Sequence, residues 1–200
     1  QLGRVIVVSI IAGFGTVQIA ANGVANSLDS MGCIVGQAMN LAMITVIGRC
    51  VGAGDSGQVR HYTKKLLKIT YVCTFVVNSI ILLCLPWILK CYGLSTETTQ
   101  LSYILVMIHN GMAMFLWPAS FVLPNMLRAC NDVRFTMVLS IFSMFMFRIG
   151  FSYIIGVNMG YGAIGVWIAM VLDWIFRVIC FVSRYLSGHW LKTAELKDNR

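Results

Sequence analysis

Long runs of apolar residues, separated by short polar loops, are the feature that most constrains this sequence. Several runs reach about 20 residues or more, the length of helix that crosses the hydrocarbon core of a membrane at about 1.5 Å per residue. Hydrophobic residues make up 58% of the 200 residues and charged residues only 11%, with a mean hydropathy of +0.82. Because average soluble domains carry about 25% charged residues, the sequence predicts an all-α, polytopic bundle of transmembrane helices.

We predict about six helices, the first of them truncated, followed by a polar tail. The expected ranges are about 1–13 (partial), 18–48, 66–89, 101–127, 135–157 and 163–186, with the tail at 187–200. Pro118 and Pro124 should bend the fourth helix. The first run is too short to span a membrane, so we expect the chain to be the C-terminal part of a longer protein.

The charged residues of the loops predict the orientation of the bundle. Basic residues concentrate at 49–68, at 128–134 and in the tail, whereas 90–100 and 158–162 are nearly neutral. By the positive-inside rule the basic loops and the C-terminus face the cytoplasm. This placement explains the net charge of +8 without nucleic-acid binding, since the basic residues are not interleaved with the aromatic residues that RNA-binding surfaces use.

A polar stripe runs along the predicted second helix, within the stretch from Gln18 to Gly52. Its members recur at steps of three and four residues, a spacing that places side chains on one face of a helix. They are Asn22, Asn26, Asp29, Cys33, Gln37 and Asn40. Surface helices of soluble proteins carry many charged residues on the polar face, whereas this stripe has amides and one carboxylate. The pattern therefore favours a face toward other protein or a water-filled cavity.

Two interpretations of the stripe remain open. Asn and Gln link neighbouring membrane helices by hydrogen bonds, which would explain each amide by packing, whereas the regular repetition favours a cavity. Asp29 has no basic residue three or four positions away. It lies either deep in a long helix 18–48, as a candidate binder of a proton, a cation or a cationic substrate, or in a short external loop between helices 5–25 and 30–48.

Three ionisable residues of the last two helices form a second candidate cluster. Arg148 and Asp173 lie at matched depths, about 14 and 15 Å from the outer ends of their helices. Asp173 precedes Arg177 by four residues, the favourable order for an ion pair on one helix. Ionisable groups inside a membrane are costly unless they are paired. We therefore predict that Arg148, Asp173 and Arg177 form structural ion pairs.

Polar residues of the third and fourth helices fall at a similar depth. His109 and Asn110 lie about 12–14 Å below the outer end of the fourth helix, and Asn78 about 16 Å below that of the third. Transporters place their sites near the midplane, although a lone histidine also serves as a hydrogen-bonded link between helices. We predict that a substrate or ion cavity is lined by Asn22, Asn26, Asp29, Gln37, Asn40, His109 and Asn110.

The sequence contains none of the common enzyme motifs. It has no G-x-S-x-G, H-E-x-x-H or P-loop motif, and its seven cysteines include no C-x-x-C pair that would indicate a zinc site or a redox centre. We therefore predict no enzyme activity, no metal site, and no cofactor beyond a coupling ion.

Four stretches of the sequence, in order, carry a resemblance to a known family. They are LGRVIVVSIIAGFGTVQIAANGVANSLDS, GQAMNLAMITVIGRCVGAGD, LPNMLRACNDVRFTMVLS and GYGAIGVWIAMVLDWIFRVICFVSRYLSGHW. Together they cover nearly the whole chain and resemble the C-terminal six-helix lobe of the multidrug and toxic compound extrusion (MATE) transporters.

The resemblance implies one lobe of a two-lobe, twelve-helix antiporter in the cell membrane. Such a protein exports cationic or amphipathic drugs and toxic compounds in exchange for Na⁺ or H⁺, and its partners are the lipid bilayer, the substrate and an N-terminal lobe. The long second helix of that fold would put Asp29 in the cavity. Some members carry an acid in the fourth helix of this lobe, where this sequence has Trp117 or its neighbours and no acid. The coupling ion is therefore not assigned.

Two alternatives to the antiporter remain. A lipid-linked oligosaccharide flippase of the same superfamily should offer several cavity Arg or Lys residues for a pyrophosphate, and only Arg148 and Arg177 are candidates. A non-transporting membrane scaffold would have no need of the amide stripe. If the chain were such a scaffold, cysteines placed along the stripe would show no access to water.

Overall fold

The computed structural model describes residues 2–196, apart from the side chains of residues 2 and 4, as a bundle of helices. The α-helices are α1 (Leu2–Ala12), α2 (Thr16–Gly32), α3 (Ile34–Gly52), α4 (Ser56–Cys91), α5 (Thr96–Trp117), α6 (Leu123–Ala129), α7 (Val133–Ser143), α8 (Gly162–Leu186) and α9 (His189–Thr193), with π-helical segments π1 (Pro118–Val122) and π2 (Met144–Asn158). No strand occurs in this part of the chain, which confirms the all-α prediction. Residue 1 of the predicted first helix and residues 197–200 of the predicted tail lie outside the described residues.

Five helical rods within residues 2–196 are long and apolar enough to cross a membrane. They are Ile34–Gly52, Ser56–Cys91, Thr96–Ala129, Val133–Asn158 and Gly162–Leu186. Many of their apolar side chains point outward, as lipid contact requires: Leu41, Leu83 and Phe115 are each more than 60% exposed. These rods confirm the predicted polytopic membrane bundle.

Buried apolar residues form two clusters. One contains Ile47 of α3, Leu127 of α6 and Phe181 of α8. The other contains Ile11 of α1, Leu28 of α2 and Leu105 of α5. Polar residues, among them Asn78 and Asn110, lie buried on α4 and α5. The two clusters pack the helices of the bundle against one another.

The predicted helix 18–48 is present as two helices joined at Cys33. The Cys33 backbone has φ −94° and ψ −2°, and its N–H still donates to the Asp29 carbonyl at 2.9 Å. Gly32 causes the close approach of α4 here, because its carbonyl accepts from Asn78 Nδ2 at 3.2 Å and a Cβ on it would lie 2.3 Å from Asn78 Oδ1. The break thus follows Asp29, which lies within α2 and not in a loop.

The basic stretch 49–68 is mostly helical and is not the long loop that the sequence indicated. Gly54 takes a φ of 72° in the turn after α3, and α4 begins at Ser56. The Asp55 carboxylate accepts the backbone N–H of Gln58 at 3.0 Å and so caps α4. α4 has 36 residues, about 54 Å at 1.5 Å per residue, so its basic first turns extend beyond a hydrocarbon core of about 30 Å.

Proline and π-helical geometry interrupt the fourth and fifth predicted helices. Pro118 begins π1, and Pro124 lies in the first turn of α6. In π1 the hydroxyl of Ser120 donates to the carbonyl of Trp174 at 3.0 Å, which fixes this segment against α8. The fifth predicted helix consists of α7 followed by the 15 residues of π2, and π-helices often occur at functional sites.

The end of α8 is tied to the turn between α6 and α7. Asp132 accepts from Arg184 Nε at 2.8 Å and from Nη2 at 3.2 Å, and its side chain is only 5% exposed. Such a two-point contact fixes geometry as well as charge. After α8 the chain reverses at Gly188, which has a φ of 68°, and continues into α9. Asp132 and Arg184 are 52 positions apart in the sequence, so no local pattern indicates this ion pair.

Candidate functional site

A cavity of about 400 Å³ opens inside the bundle. Seven helical elements and Cys33, the residue between α2 and α3, contribute to its wall. The lining residues are Gly3, Val7, Val8, Asn22, Asn26, Asp29, Ser30, Cys33, Gln37, His109, Trp117, Phe121, Met144, Arg148, Met170 and Trp174. Polar and charged side chains share the wall with apolar and aromatic ones, and convergent polar groups in a concave site are typical of small-molecule binding.

Asp29 and His109 form the central polar contact of the cavity. His109 Nδ1 lies 2.9 Å from Asp29 Oδ1, and the two side chains come from α2 and α5. The His109 side chain is 3% exposed, whereas the Asp29 side chain is 21% exposed. The Cys33 thiol donates to the same carboxylate oxygen at 3.6 Å. The expectation of a carboxylate without a basic neighbour is therefore wrong, because tertiary packing supplies His109.

Two tryptophans of α8 hold the imidazole of His109 in place. The ring centroid of His109 lies 4.5 Å from that of Trp167 and 4.3 Å from that of Trp174. His109 Nε2 and Trp174 Nε1 are buried and have no hydrogen-bond partner among the described protein atoms. The imidazole is thus held by edge-on and tilted contacts with the two indole rings and by Asp29.

Three amides of the predicted stripe also line the cavity. Asn22 accepts from Trp167 Nε1 at 3.0 Å, and Asn26 donates to the Asn22 carbonyl at 2.9 Å. Gln37 of α3 is exposed and lies on the cavity wall beyond the break. Asn22 therefore serves both interpretations of the stripe, since it links α2 to α8 and still borders the cavity.

Asn110 and Asn40, which the sequence analysis assigned to the cavity, do not line it. Asn110 is completely buried and donates to Asn78 Oδ1 at 2.9 Å, so it links α5 to α4. Asn40 accepts from Asn125 Nδ2 at 2.9 Å and so links α3 to α6. For these two amides the packing interpretation is correct, because each meets another asparagine on a neighbouring helix.

Asp173 and Arg177, both on α8, form a second buried polar cluster. Arg177 Nε lies 3.0 Å from Asp173 Oδ1 and 3.1 Å from Ser143 Oγ, and Nη2 donates to the Ser140 carbonyl at 3.2 Å. The hydroxyl of Ser143 donates to the same Asp173 oxygen. These contacts bind α8 to α7 through groups that belong to the protein itself.

Arg148 lies about one turn away from the height at which it was expected. It donates to Met170 Sδ at 3.2 Å, whereas Asp173 lies opposite Ser143. The 15 residues of π2 are not α-helical, so the depth of Arg148 calculated with an α-helical rise does not apply there. This shift brings Arg148 into the cavity wall, where it is close enough to attract Asp29 electrostatically.

Several cavity residues were missed because their spacing also suits an ordinary core. Met170 and Trp174 lie four residues apart on α8, a spacing that indicates one helical face but not what the face contacts. Phe121 enters the cavity through π1, and Arg177 stacks over its ring with Cζ at 5.5 Å. Among residues 2–196, no group of three His, Cys, Asp or Glu side chains could hold a metal ion.

Comparison with known proteins identifies relatives among transporters. The MatE family model matches residues 1–154. The probable multidrug resistance protein NorM of Thermotoga maritima is 22% identical over 174 residues, which cover 87% of this chain and 37% of that protein. The uncharacterized transporter YisQ of Bacillus subtilis is 30% identical over 71 residues, which cover 36% of this chain and 16% of that protein. The chain thus spans little more than a third of the length of NorM.

No solved structure matches the chain, so the assignment depends on sequence similarity and on the helical bundle. The family match extends over 154 of the 200 residues and includes α1 to α7 and the cavity residues of π2. The chain therefore belongs to the MatE family, whose members are membrane transporters and not enzymes.

Proposed function

We propose that this chain is the C-terminal lobe of a secondary antiporter of the cell membrane, whose other lobe lies outside this sequence. The transporter exports cationic or amphipathic drugs and toxic compounds in exchange for Na⁺ or H⁺. The basic turns and the C-terminus face the cytoplasm, as the distribution of Lys and Arg favours. The similarity to a relative named as a probable multidrug resistance protein, of which this chain covers 37%, supports both the lobe and the cargo.

The Asp29–His109 pair is the observation that carries the proposal. A carboxylate inside a membrane bundle is costly, and such groups mark the paths of substrates, ions and protons. This one faces a cavity and contacts a histidine, a side chain that changes charge near neutral pH. Binding of a cation or a proton to the pair changes the local charge, which a switching transporter needs in order to couple two gradients.

The cavity wall suits a flat or flexible cationic compound. Trp117, Phe121 and Trp174 provide aromatic surfaces that attract cations, and Met144 and Met170 provide adaptable apolar contacts. Asp29 adds the countercharge. A volume of about 400 Å³ in one lobe lies within the range of small-molecule sites, and the second lobe would complete the enclosure.

The flippase alternative has less support than the antiporter. It needs several cationic groups for a pyrophosphate, and Arg177 is engaged by Asp173 and Ser143. Of the two arginines considered, only Arg148 borders the cavity. Failure of the full-length protein to export any cationic dye, combined with movement of a lipid-linked sugar, would favour the flippase.

The test is Asp29→Asn in the full-length protein, reconstituted in liposomes with a Na⁺ gradient or a pH gradient imposed separately. Asparagine keeps the size of the side chain and removes its charge. We expect gradient-driven export of a cationic dye to fall to the level of protein-free liposomes, with little change in the melting temperature. The gradient that drives the unmodified protein identifies the coupling ion.

Asp55→Asn is the matched control. It makes the same chemical change at the cap of α4, where Asn and Asp are about equally effective, and should leave export intact. Export by Asp29→Asn at the unmodified rate and with unmodified ion dependence would show that Asp29 has no coupling role.

A further inference from the structure

A second, smaller pocket lies where α4 meets the end of α8. Its volume is about 280 Å³, and α4, the end of α8 and the turn into α9 form its wall. The lining residues are Arg60, Lys64, Tyr185, Leu186, Gly188 and Trp190. No residue of the central cavity takes part, so this pocket is separate from the transport site proposed above.

The pocket has a rigid aromatic base. Trp190 is 1% exposed, its Nε1 donates to the Tyr185 carbonyl at 3.2 Å, and the Trp190 and Tyr185 rings are nearly parallel with centroids 6.2 Å apart. The positive φ of Gly188, at 68°, folds α9 back and delivers Trp190 to this position. The shape of the pocket is thus set by packed elements of the fold.

Two cations face this base from α4. Arg60 and Lys64 are one helical turn apart, and the guanidinium carbon of Arg60 lies 5.7 Å from the centre of the Trp190 ring. Lys64 is exposed. These two basic side chains give this wall of the pocket the chemistry that suits an anion.

The pocket lies at the level of lipid headgroups. From Ile69 to Leu89, α4 has 21 residues without a charge, about 31 Å at 1.5 Å per residue, which matches the hydrocarbon thickness of a bilayer. Lys64 lies about 7 Å beyond this segment. Leu186, at the pocket wall, is 75% exposed. A positive wall beside an exposed apolar residue matches an amphiphile with an anionic head.

We propose that this pocket binds the phosphate-bearing headgroup of an anionic phospholipid. Arg60 and Lys64 contact the phosphate, and Leu186 contacts the apolar part of the same molecule. Basic pockets between membrane helices are typical binding sites for anionic lipid headgroups. A bound lipid bridges α4 and the turn between α8 and α9, and so stabilises the end of the bundle at which Asp132 and Arg184 also pair.

The experiment uses the full-length protein in detergent micelles that contain either phosphatidylglycerol or phosphatidylcholine. The melting temperature and the number of lipids retained in native mass spectrometry are measured as the lipid is titrated. We expect phosphatidylglycerol to raise the melting temperature and phosphatidylcholine to leave it unchanged. Each basic side chain near an anionic surface contributes about a fivefold factor in affinity, so Arg60→Gln with Lys64→Gln should weaken binding about 30-fold.

Lys65→Gln with Lys68→Gln is the matched control. It removes two positive charges from the same turns of α4, and neither side chain lines the pocket. An equal loss of binding in both double variants would show diffuse attraction to the charged surface and would overturn the site. Should the double variant fail to fold, Lys64→Gln alone tests the site, because it alters an exposed side chain. Unchanged lipid affinity of this single variant would also contradict the proposal.

The pocket could take its phosphate group from a lipid headgroup or from free phosphate, and a parallel titration with inorganic phosphate distinguishes the two. If the ligand is a lipid, phosphatidylglycerol should stabilise the protein more than free phosphate does. Leu186→Ser should then weaken the binding of phosphatidylglycerol and leave the binding of phosphate unchanged. Stabilisation by phosphate equal to that by the lipid, and insensitive to Leu186→Ser, would overturn the lipid assignment.

Discussion

Two carboxylates lie inside the helical bundle beside a basic group, and their surroundings differ. Asp173 has no exposed surface and contacts Arg177 and Ser143 in a network that joins α8 to α7. Asp29 has a side chain that is 21% exposed, faces a cavity and contacts His109. Both pairs join two residues at similar distances, 3.0 and 2.9 Å. Distance alone therefore does not separate a structural pair from a functional one.

The difference lies in the partner and in access to the cavity. Arg177 presents a planar guanidinium that contacts Asp173 and Ser143 in a fixed geometry. Asp29 instead contacts an imidazole, the side-chain type that proteins use as a charge switch, and the exposed part of Asp29 can be reached by a cation. The group of Asp173, Arg177 and Ser143, which we call the closed cluster, thus stabilises one arrangement of helices. The pair of Asp29 and His109, the open pair, can respond to a ligand.

Asp173→Ala should have the largest effect on the protein. It leaves Arg177 charged, buried and without its carboxylate, a change that typically costs about 3–5 kcal/mol. We expect a large fall in the melting temperature of the detergent-solubilised protein and loss of material from the membrane. Asp29→Ala is the matched control and should melt close to the unmodified protein, because its position borders water. Equal losses of stability in the two variants would remove the distinction between the clusters.

His109→Leu should abolish export while leaving the fold intact. Leucine keeps the apolar contacts with Trp167 and Trp174 but removes the hydrogen bond to Asp29. His109→Gln retains an amide donor and should restore part of the export, measured as dye efflux in liposomes. Normal export by His109→Leu would contradict a role for the pair. Export by His109→Gln that still follows an imposed pH gradient would assign the imidazole to the positioning of Asp29 and not to proton transfer.

Arg177→Lys should have a smaller effect, confined to stability. Lysine preserves the charge beside Asp173 but cannot reproduce the planar contacts to Ser143 and to the Ser140 carbonyl. Loss of these hydrogen bonds should cost about 2 kcal/mol, read as a lower melting temperature. The export rate per folded molecule should not change. A changed rate at unchanged stability would mean that the closed cluster takes part in transport.

The sequence predicts the fold well and its interruptions poorly. Apolar runs of about 20 residues indicate the rods, because the membrane imposes their length. At the break at Cys33, Asn78 of α4 donates to the Gly32 carbonyl, a contact between helices that no local pattern reveals. The π-helical geometry of π2 was not predicted either, and there Arg148 contacts Met170. Depths of residues below a helix end, calculated with a single α-helical rise of about 1.5 Å per residue, are therefore accurate only where the helix is a regular α-helix.

The candidate site is predictable as a set of polar groups but not as a set of contacts. Spacing placed Asn26 and Asn40 on one face, yet only Asn26 lines the cavity. Asn40 instead meets Asn125, because α3 continues past the cavity toward α6. The polar stripe predicts which side chains lie on one face of a helix. Because the helix breaks at Cys33, the stripe residues of α2 and of α3 contact different parts of the bundle.

Cysteine labelling should separate the two environments with the least disturbance of the protein. Asn26→Cys and Gln37→Cys border the cavity, whereas Asn110→Cys and Ser143→Cys replace side chains with no exposed surface. In a parent whose accessible native cysteines are replaced, we expect a charged thiol reagent to label the first two rapidly and the last two hardly at all. Cys130, in the turn after α6, can stay, because burial and the nearby Asp132 raise the pKa of its thiol to about 12 and the thiolate is the reactive form. A transported dye should slow labelling only at 26 and 37. Rapid labelling at 143 would show that water reaches the cluster of Asp173, Arg177 and Ser143, and the contrast between the two carboxylates would then have to be abandoned.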